Sequence, residues 1–478
     1  MKTLNTICCT LAMLLMGNVA GRAQTETPTR PNMAQELARK IEKKVADVRG
    51  LKFQSPTKIG VYTREELIAF VKREMAKETS QESGRAEVQA HALLNLMPAD
   101  FDLHNATIEM LGEQIGGFYD PEKKELVLVK IEGDDEKGHA LHEVIMSHEL
   151  VHALQDQHFN LSDLHDEKGA DRDRKNAILS LIEGDATLMM MFFSVPGIED
   201  PSEVAEMLKM SVPMMPTTFA QLAKLADMAA AMGQDMDMGD GLQMDALAKA
   251  PTIMSDEMCF SYMGGLKFVF RLFNSPGLGG TKAIDAAFLS PPLSTEQILH
   301  PKKYMKDPDW PVTITLPDLS SALPKGTKRT YSNNLGELHV RTLLATHGLK
   351  RISRIHAGWD GDRLELYETP NGPGIVWYSR WDSEDDAAEF LTALTKIVRQ
   401  WVPAEKRPDA AGQPLGQDPS SLSNSIYLQQ TGTDVLLLRG FTSDQMTRIV
   451  DSITRGLKVK AVLPWTRKLT PAAGEQKK

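Results

Sequence analysis

A chain of 478 residues, 42% of them hydrophobic, is long and apolar enough to build two or three domains with real cores. A formal net charge of −10 and a pI near 5.7 leave no electrostatic footprint for nucleic acid, so no nucleic-acid partner is expected. With three cysteines, two of them at Cys8 and Cys9, the chain excludes a fold held by disulfides.

At the amino end, Met1-Lys2, the apolar run from Ile7 to Met16 and the small-residue site Gly21-Arg22-Ala23 predict a secretory signal peptide over residues 1–23, cleaved before Gln24. A secreted or periplasmic location follows. Cys8 and Cys9 lie inside that segment without the small-residue context of a lipid-attachment site. The mature chain then keeps Cys259 alone, read as a buried small hydrophobe. No second apolar run approaches the length of a membrane span on this reading, so no transmembrane segment is expected in the mature chain.

After a Thr/Pro-rich linker, residues 24–110 read as a helical region. Met33 to Val48, Arg64 to Lys77, Glu87 to Leu96 and Asn105 to Ile115 are the expected helices, from apolar residues at three-and-four spacing. Gly116-Gly117 breaks the last of them, and Phe118 to Val129 reads as two strands about a turn. Such a pair could line a cleft as an edge strand to which an extended peptide adds, or be an ordinary hairpin on the core.

The stretch from His139 to His158 reads as a helix with Leu141, Val144, Ile145, Val151 and Leu154 on its buried face. Within it, Ser147-His148-Glu149-Leu150-Val151-His152 is an HExxH motif, which puts two imidazoles one above the other on a helix surface. Zinc is the expected ion: it accepts two imidazoles and a carboxylate and leaves one position for a water acidified to a pKa of roughly 7. Glu149 would take the proton of that water. For the third ligand, Ile178 to Thr187 offers Glu183, whose apolar neighbours Leu179, Leu181 and Ile182 draw it inward, where an unpaired charge is costly. His158, His165 and Asp185 compete, and Asp185 is better read as holding a ligand imidazole by its other N–H. Gly184 and Ala186 are expected to let this helix approach the HExxH helix closely.

From Met189 to Met258 the chain carries most of its 25 methionines. Thioethers can bind Cu(I), but no cluster repeats with fixed spacing. The expected reading is a helical insertion over about residues 196–258 that covers the cleft, with Gly233 to Gly241 as a mobile loop. Helix returns from Tyr262 to Phe273. Tyr262 is the candidate donor to a developing oxyanion, with Tyr119 as competitor. Glu296 and His300 could contact substrate, or cap and tie down the Pro291 to Pro301 turn; the second reading is preferred.

A Pro-rich passage from Pro308 to Lys328 is expected to separate a smaller α+β domain over 325–465. Its elements are helices at Gly336 to His347, Ser383 to Trp401 and Ser443 to Leu457, strands at Arg363 to Tyr367 and Ile375 to Trp381, and a hairpin from Ile426 to Arg439. Helices on an antiparallel sheet, in an accessory role, are expected, followed by a disordered tail at 466–478.

Taken together, the HELVH helix and the glutamate on a following helix resemble the gluzincin metallopeptidases, of which thermolysin is the familiar member. GGFYDPEKKELVLV, SHELVHALQDQHF, LIEGDA, the Phe260 to Gly265 segment and Ser294-Thr295-Glu296-Gln297-Ile298-Leu299-His300-Pro301 are together similar to a largely uncharacterised family of exported bacterial zinc metallopeptidases. The resemblance covers roughly residues 85 to 305. It implies an α+β, mainly helical zincin-like peptidase domain with a small edge sheet, over 111–310. It also implies His148, His152 and Glu183 as zinc ligands and Glu149 as general base, acting on a peptide or protein substrate. The compact Glu183-Gly184-Asp185-Ala186 departs from the Glu-x-x-x-Asp spacing of thermolysin-like enzymes. A peptide- or protein-binding module on the same scaffold, without catalysis, is the alternative.

Overall fold

The computed structural model describes residues 31–78, 80–130, 136–165, 169–195, 200–231, 245–401, 425–464 and 467. Residues 1–23, expected as a signal peptide, Gly233 to Gly241, expected as a loop, and residues 402–424 lie outside these residues. Helices and small sheets alternate in an α+β arrangement.

The first half is built from α1 (Pro31–Arg49), β1 (Lys58–Tyr62), α2 (Arg64–Glu78), α3 (Gln81–Ala92), α4 (Leu103–Gln114), β2 (Gly117–Asp120), β3 (Glu125–Val129), α5 (Glu136–Phe159), α6 (Leu161–His165) and α7 (Arg172–Ser194). β2 and β3 are the expected strand pair. β1 is an addition: it joins β3 in parallel, with Ile59 opposite Leu126, and makes a three-stranded sheet of order β1-β3-β2. Five residues, KIGVY, are too few to show a period, and a parallel partner more than sixty positions away leaves no local signal. β2 is the outer strand, and all four of its residues are buried. A Cβ at Gly116 or Gly117 would stand 2.6 or 2.7 Å from the Ile145 side chain, so these glycines seat the strand against α5.

α7 is the hub of this half. Asp171 caps it by accepting from the Arg174 N–H. Its length and apolar character would suffice to cross a membrane, contrary to the expectation that no further run reaches that length. However, 83% of its most apolar window is inside the fold, which is the position of a core helix. α5 packs on one side of it, and on another lies the continuous helical segment made by α11 (Thr252–Cys259), the π-helical turn Phe260–Gly264 and α12 (Gly265–Phe273). Helix therefore resumes ten residues earlier than expected, at Thr252. Gly184, expected to bring α7 close to the HExxH helix, faces α12 instead. A Cβ on Gly184 would lie 2.2 Å from the Gly265 carbonyl carbon, and one on Gly265 would lie 2.1 Å from the Ser180 carbonyl oxygen.

The Met-rich region forms α8 (Pro201–Leu208), a 3-10 turn at Val212–Met214, α9 (Phe219–Ala231) and α10 (Asp245–Lys249). Its methionines divide by position. Met189, Met190 and Met191 are core residues on α7, while Met207, Met210, Met214 and Met228 are exposed. Cys259 is buried, and burial pushes its thiol up to about 12.

α13 (Thr281–Leu289), α14 (Thr295–Leu299) and α15 (Lys302–Met305) lead to β4 (Val312–Thr315), β5 (Lys328–Asn333), α16 (Gly336–Thr346) and α17 (Ile352–His356). Then come β6 (Trp359–Thr369), β7 (Gly372–Trp381), α18 (Glu384–Trp401), β8 (Ile426–Thr431), β9 (Asp434–Arg439), α19 (Ser443–Gly456) and β10 (Lys458–Ala461). The five-stranded sheet has the order β5-β6-β7-β9-β8, antiparallel throughout. Alternation along β7 decides its two faces: Ile375 and Trp377 join the core under α18, while Val376 and Tyr378 join the one under α19. The Pro-rich passage contributes β4, paired with β10, and Leu316, Leu319 and Leu323 to that second face. The first face is continuous with residues of the other half, since Leu67, Met190 and Tyr262 share a cluster with Val340, Trp377 and Leu394. Where a disordered tail was expected, Arg467 is docked: its guanidinium donates to the Phe159 and Asn160 carbonyls at 2.7 and 3.3 Å.

Because backbone, not a flexible side-chain end, faces the missing Cβ, Gly265→Ala should lower stability by about 1–3 kcal/mol or more. Equilibrium denaturation checks this; an unchanged midpoint would show that the α7–α12 approach is not tight.

Candidate metal centre

α5 presents His148 and His152 one turn apart, with ring centroids 4.8 Å from each other, and α7 brings Glu183 between them. The Nε2 atoms of the histidines are 3.1 Å apart, and Glu183 Oε2 is 3.2 Å from His148 Nε2 and 3.5 Å from His152 Nε2. A tetrahedral zinc ion with bonds of about 2.0–2.2 Å spaces its ligands by roughly 3.3–3.5 Å. The triangle therefore has the dimensions of one face of such a site. His148 and His152 lie one turn apart on α5 and are buried, as are Ile145, Val151 and Leu154 around them. Leu141 lies outside the residues whose side chains are described.

Electrostatics ask for a cation at this point. Burial pushes the His148 imidazole down to about 4. Burial also opposes charge on His152, but the Glu183 carboxylate outweighs it and holds that imidazole up at about 9. Burial would raise Glu183, yet His152 and His148 together hold it down at about 2. Glu183 Oε1 and His148 Nδ1 are buried without a hydrogen-bond partner. The donor set, two imidazoles and a carboxylate, fits zinc with one position left over.

Further side chains orient the triangle. His152 Nδ1 lies 2.8 Å from Gln155 Oε1, so Nδ1–H donates there and Nε2 keeps its lone pair for the ion. The Gln155 amide in turn donates to the Ile182 carbonyl at 3.0 Å and to Asp185 Oδ2 at 2.9 Å. One side chain thus fixes a ligand ring on α5 and the backbone next to the ligand on α7. Asp185 was expected to hold a ligand imidazole directly. It acts through Gln155 instead, and its carboxylate also pairs with Arg49 Nε at 3.0 Å. Arg49 ends α1, is fully buried, and reaches Asp285 of α13 at 2.7 Å. Gln155 could have been read from HELVHALQ, because it follows His152 by three residues on the same face. Arg49, 136 residues from its partner, carries no such signal.

The other site residues divide clearly. Glu149 is fully buried, and its carboxylate is among the charges that act on His152. Tyr262 sits on the π-helical turn, 1% exposed, with its ring 6.2 Å from that of His148. Tyr119 does not compete with it, because its hydroxyl donates to Asp156 Oδ2 at 2.9 Å, a carboxylate also bound by Lys124. His158 faces the Lys52 carbonyl and is not part of the centre. The His165 side chain lies outside the described residues. Ser294, not Glu296, caps α14.

The chain is thus an α+β protein with a buried His-His-Glu centre between two crossing helices. Residues 325–450 match a family model described as "Domain of unknown function (DUF8575)", and no curated protein and no solved structure matches the chain. The matched segment contains none of the three residues of the triangle.

His148→Ala, His152→Ala and Glu183→Ala should each abolish stoichiometric zinc binding. Gln155→Ala and Asp185→Ala should weaken it by about 10- to 100-fold. Competition with a chromogenic chelator measures both effects; wild-type affinity in Gln155→Ala would remove its orienting role.

Proposed function

We propose that the chain is an exported zinc-dependent metallopeptidase with a zincin-like catalytic domain, and that peptide or protein is its substrate. The observation that carries this reading is the triangle of His148, His152 and Glu183, with edges of 3.1 to 3.5 Å, beside the buried carboxylate of Glu149. Zinc held there supplies a Lewis acid and a water acidified to a pKa of roughly 7.

Each residue of the chain then has a definite task. Glu149 accepts a proton from the attacking water and passes it to the leaving amine. The Tyr262 hydroxyl donates to the oxyanion that develops on the scissile carbonyl. Gln155 keeps the His152 tautomer fixed throughout, and Arg49 and Asp185 hold Gln155. Water is excluded around these groups, because His148, Glu149, His152, Glu183 and Tyr262 are each at most 1% exposed. Export rests on the Met1 to Ala23 segment, and the peptidase assignment draws on the resemblance to gluzincins.

The same complete burial favours a second reading, in which the metal braces α5 to α7 and no substrate is turned over. Two variants separate the readings. Glu149→Gln should retain zinc and fold while losing hydrolysis of a broad peptide library, since an amide cannot accept the proton. Tyr262→Phe should retain zinc and lower kcat by about 100- to 1000-fold. Metal-loaded wild-type protein that cleaves nothing the chelator-treated control does not would sink the peptidase reading and leave the brace.

A further inference from the structure

The Ser294 to Pro301 segment brings together side chains that the proposed hydrolysis leaves unused. Glu296 and His300 stand four residues apart on α14 and its C-cap, the spacing that puts two side chains on one helix face. Glu337, in the first turn of α16, and His356, at the end of α17, meet them there. His300 Nε2 is 2.7 Å and His356 Nδ1 is 2.5 Å from the same oxygen, Glu337 Oε1. Glu337 is fully buried, Glu296 is 1% exposed and His356 5%, whereas the His300 side chain is 30% exposed.

Two observations show that this group is short of positive charge. Glu337 Oε2 and Glu296 Oε2 are both buried with no hydrogen-bond partner among the described residues. Lys303, the cation beside them, is already divided among Glu296, Asp309 and Asp382, at 2.6, 2.8 and 2.7 Å.

We propose that His300, Glu337 and His356 form a second metal site, which takes a divalent transition-metal ion and clamps α14 to α16 and α17. Two imidazoles with a carboxylate suit zinc, manganese, iron or cobalt better than calcium or magnesium, which favour oxygen alone. Separations of 2.5 and 2.7 Å are hydrogen-bond lengths, so each imidazole here donates a proton to Oε1. An ion bound there would take the lone pairs of His300 Nε2 and His356 Nδ1, with each ring carrying its proton on the other nitrogen. The partly exposed His300 is the side from which it arrives. The site is independent of the His148 centre: it shares no ligand with it and lies where the segment matching the DUF8575 model meets the preceding half of the chain.

Counting bound metal tests this directly. The full chain, dialysed against Zn2+ and then passed over a desalting column, should hold two equivalents by elemental analysis. The His148→Ala/His152→Ala double variant should keep one, and Glu337→Gln should also keep one, because its amide retains a hydrogen-bond acceptor but loses the charge. His300→Ala, at the exposed margin, serves if Glu337→Gln does not fold, with the same expected loss of one equivalent. Wild-type protein with a single equivalent that vanishes in the double variant overturns the second site and leaves the first standing. Two equivalents that persist in the double variant, with one lost in Glu337→Gln, would instead uphold the second site and remove the catalytic centre.

Discussion

Everything around α7 follows from the need to keep a carboxylate charged where there is no water. Glu183 sits in the middle of an apolar helix, and an ionised carboxylate left alone there would be strongly destabilising. Two imidazoles from α5 meet it, Gln155 fixes the geometry of one of them, and the ion pair of Asp185 with Arg49 ties the amino-terminal helix to the same point. α1, α5, α7 and α13 are thereby held by one chain of polar contacts running through an otherwise hydrophobic interior. Such a network is stabilising only when every member is satisfied, so its parts are expected to act as a unit.

The contacts that bring α7 close to its neighbours separate two functions that the sequence places side by side. Glu183 faces α5 and the centre, while the next residue, Gly184, faces α12 and lets its backbone pass at contact distance. The π-helical turn at Phe260–Gly264 lies just before that crossing and carries Tyr262 toward His148. A single wide turn is a common way to re-aim a side chain in a helix at a functional site.

How much of this could be read in the sequence depended on the range of the interaction. HELVH announces itself because a helix converts a spacing of four into adjacency, and Glu183 was legible as a charged residue in an apolar run. The strands of the second half were legible through alternation, as at Ile375 to Tyr378. Arg49, Glu337 and His356 were not, since their roles depend on partners that tertiary packing alone brings near. β1 was missed for the same reason. Glu296 and His300 did offer a local signal, the same spacing of four, but a Pro-flanked turn favoured a capping role, which belongs to Ser294.

One consequence follows from the depth at which the triangle lies. A centre whose five principal side chains are at most 1% exposed would exchange a bound ion, or admit a substrate, only when the surrounding packing opens. Were a metal bound there, its loss to a scavenger would proceed no faster than the opening of the fold around α5 and α7, however strong the scavenger. The rate at which metal leaves becomes a clock for that opening, readable without knowledge of any substrate.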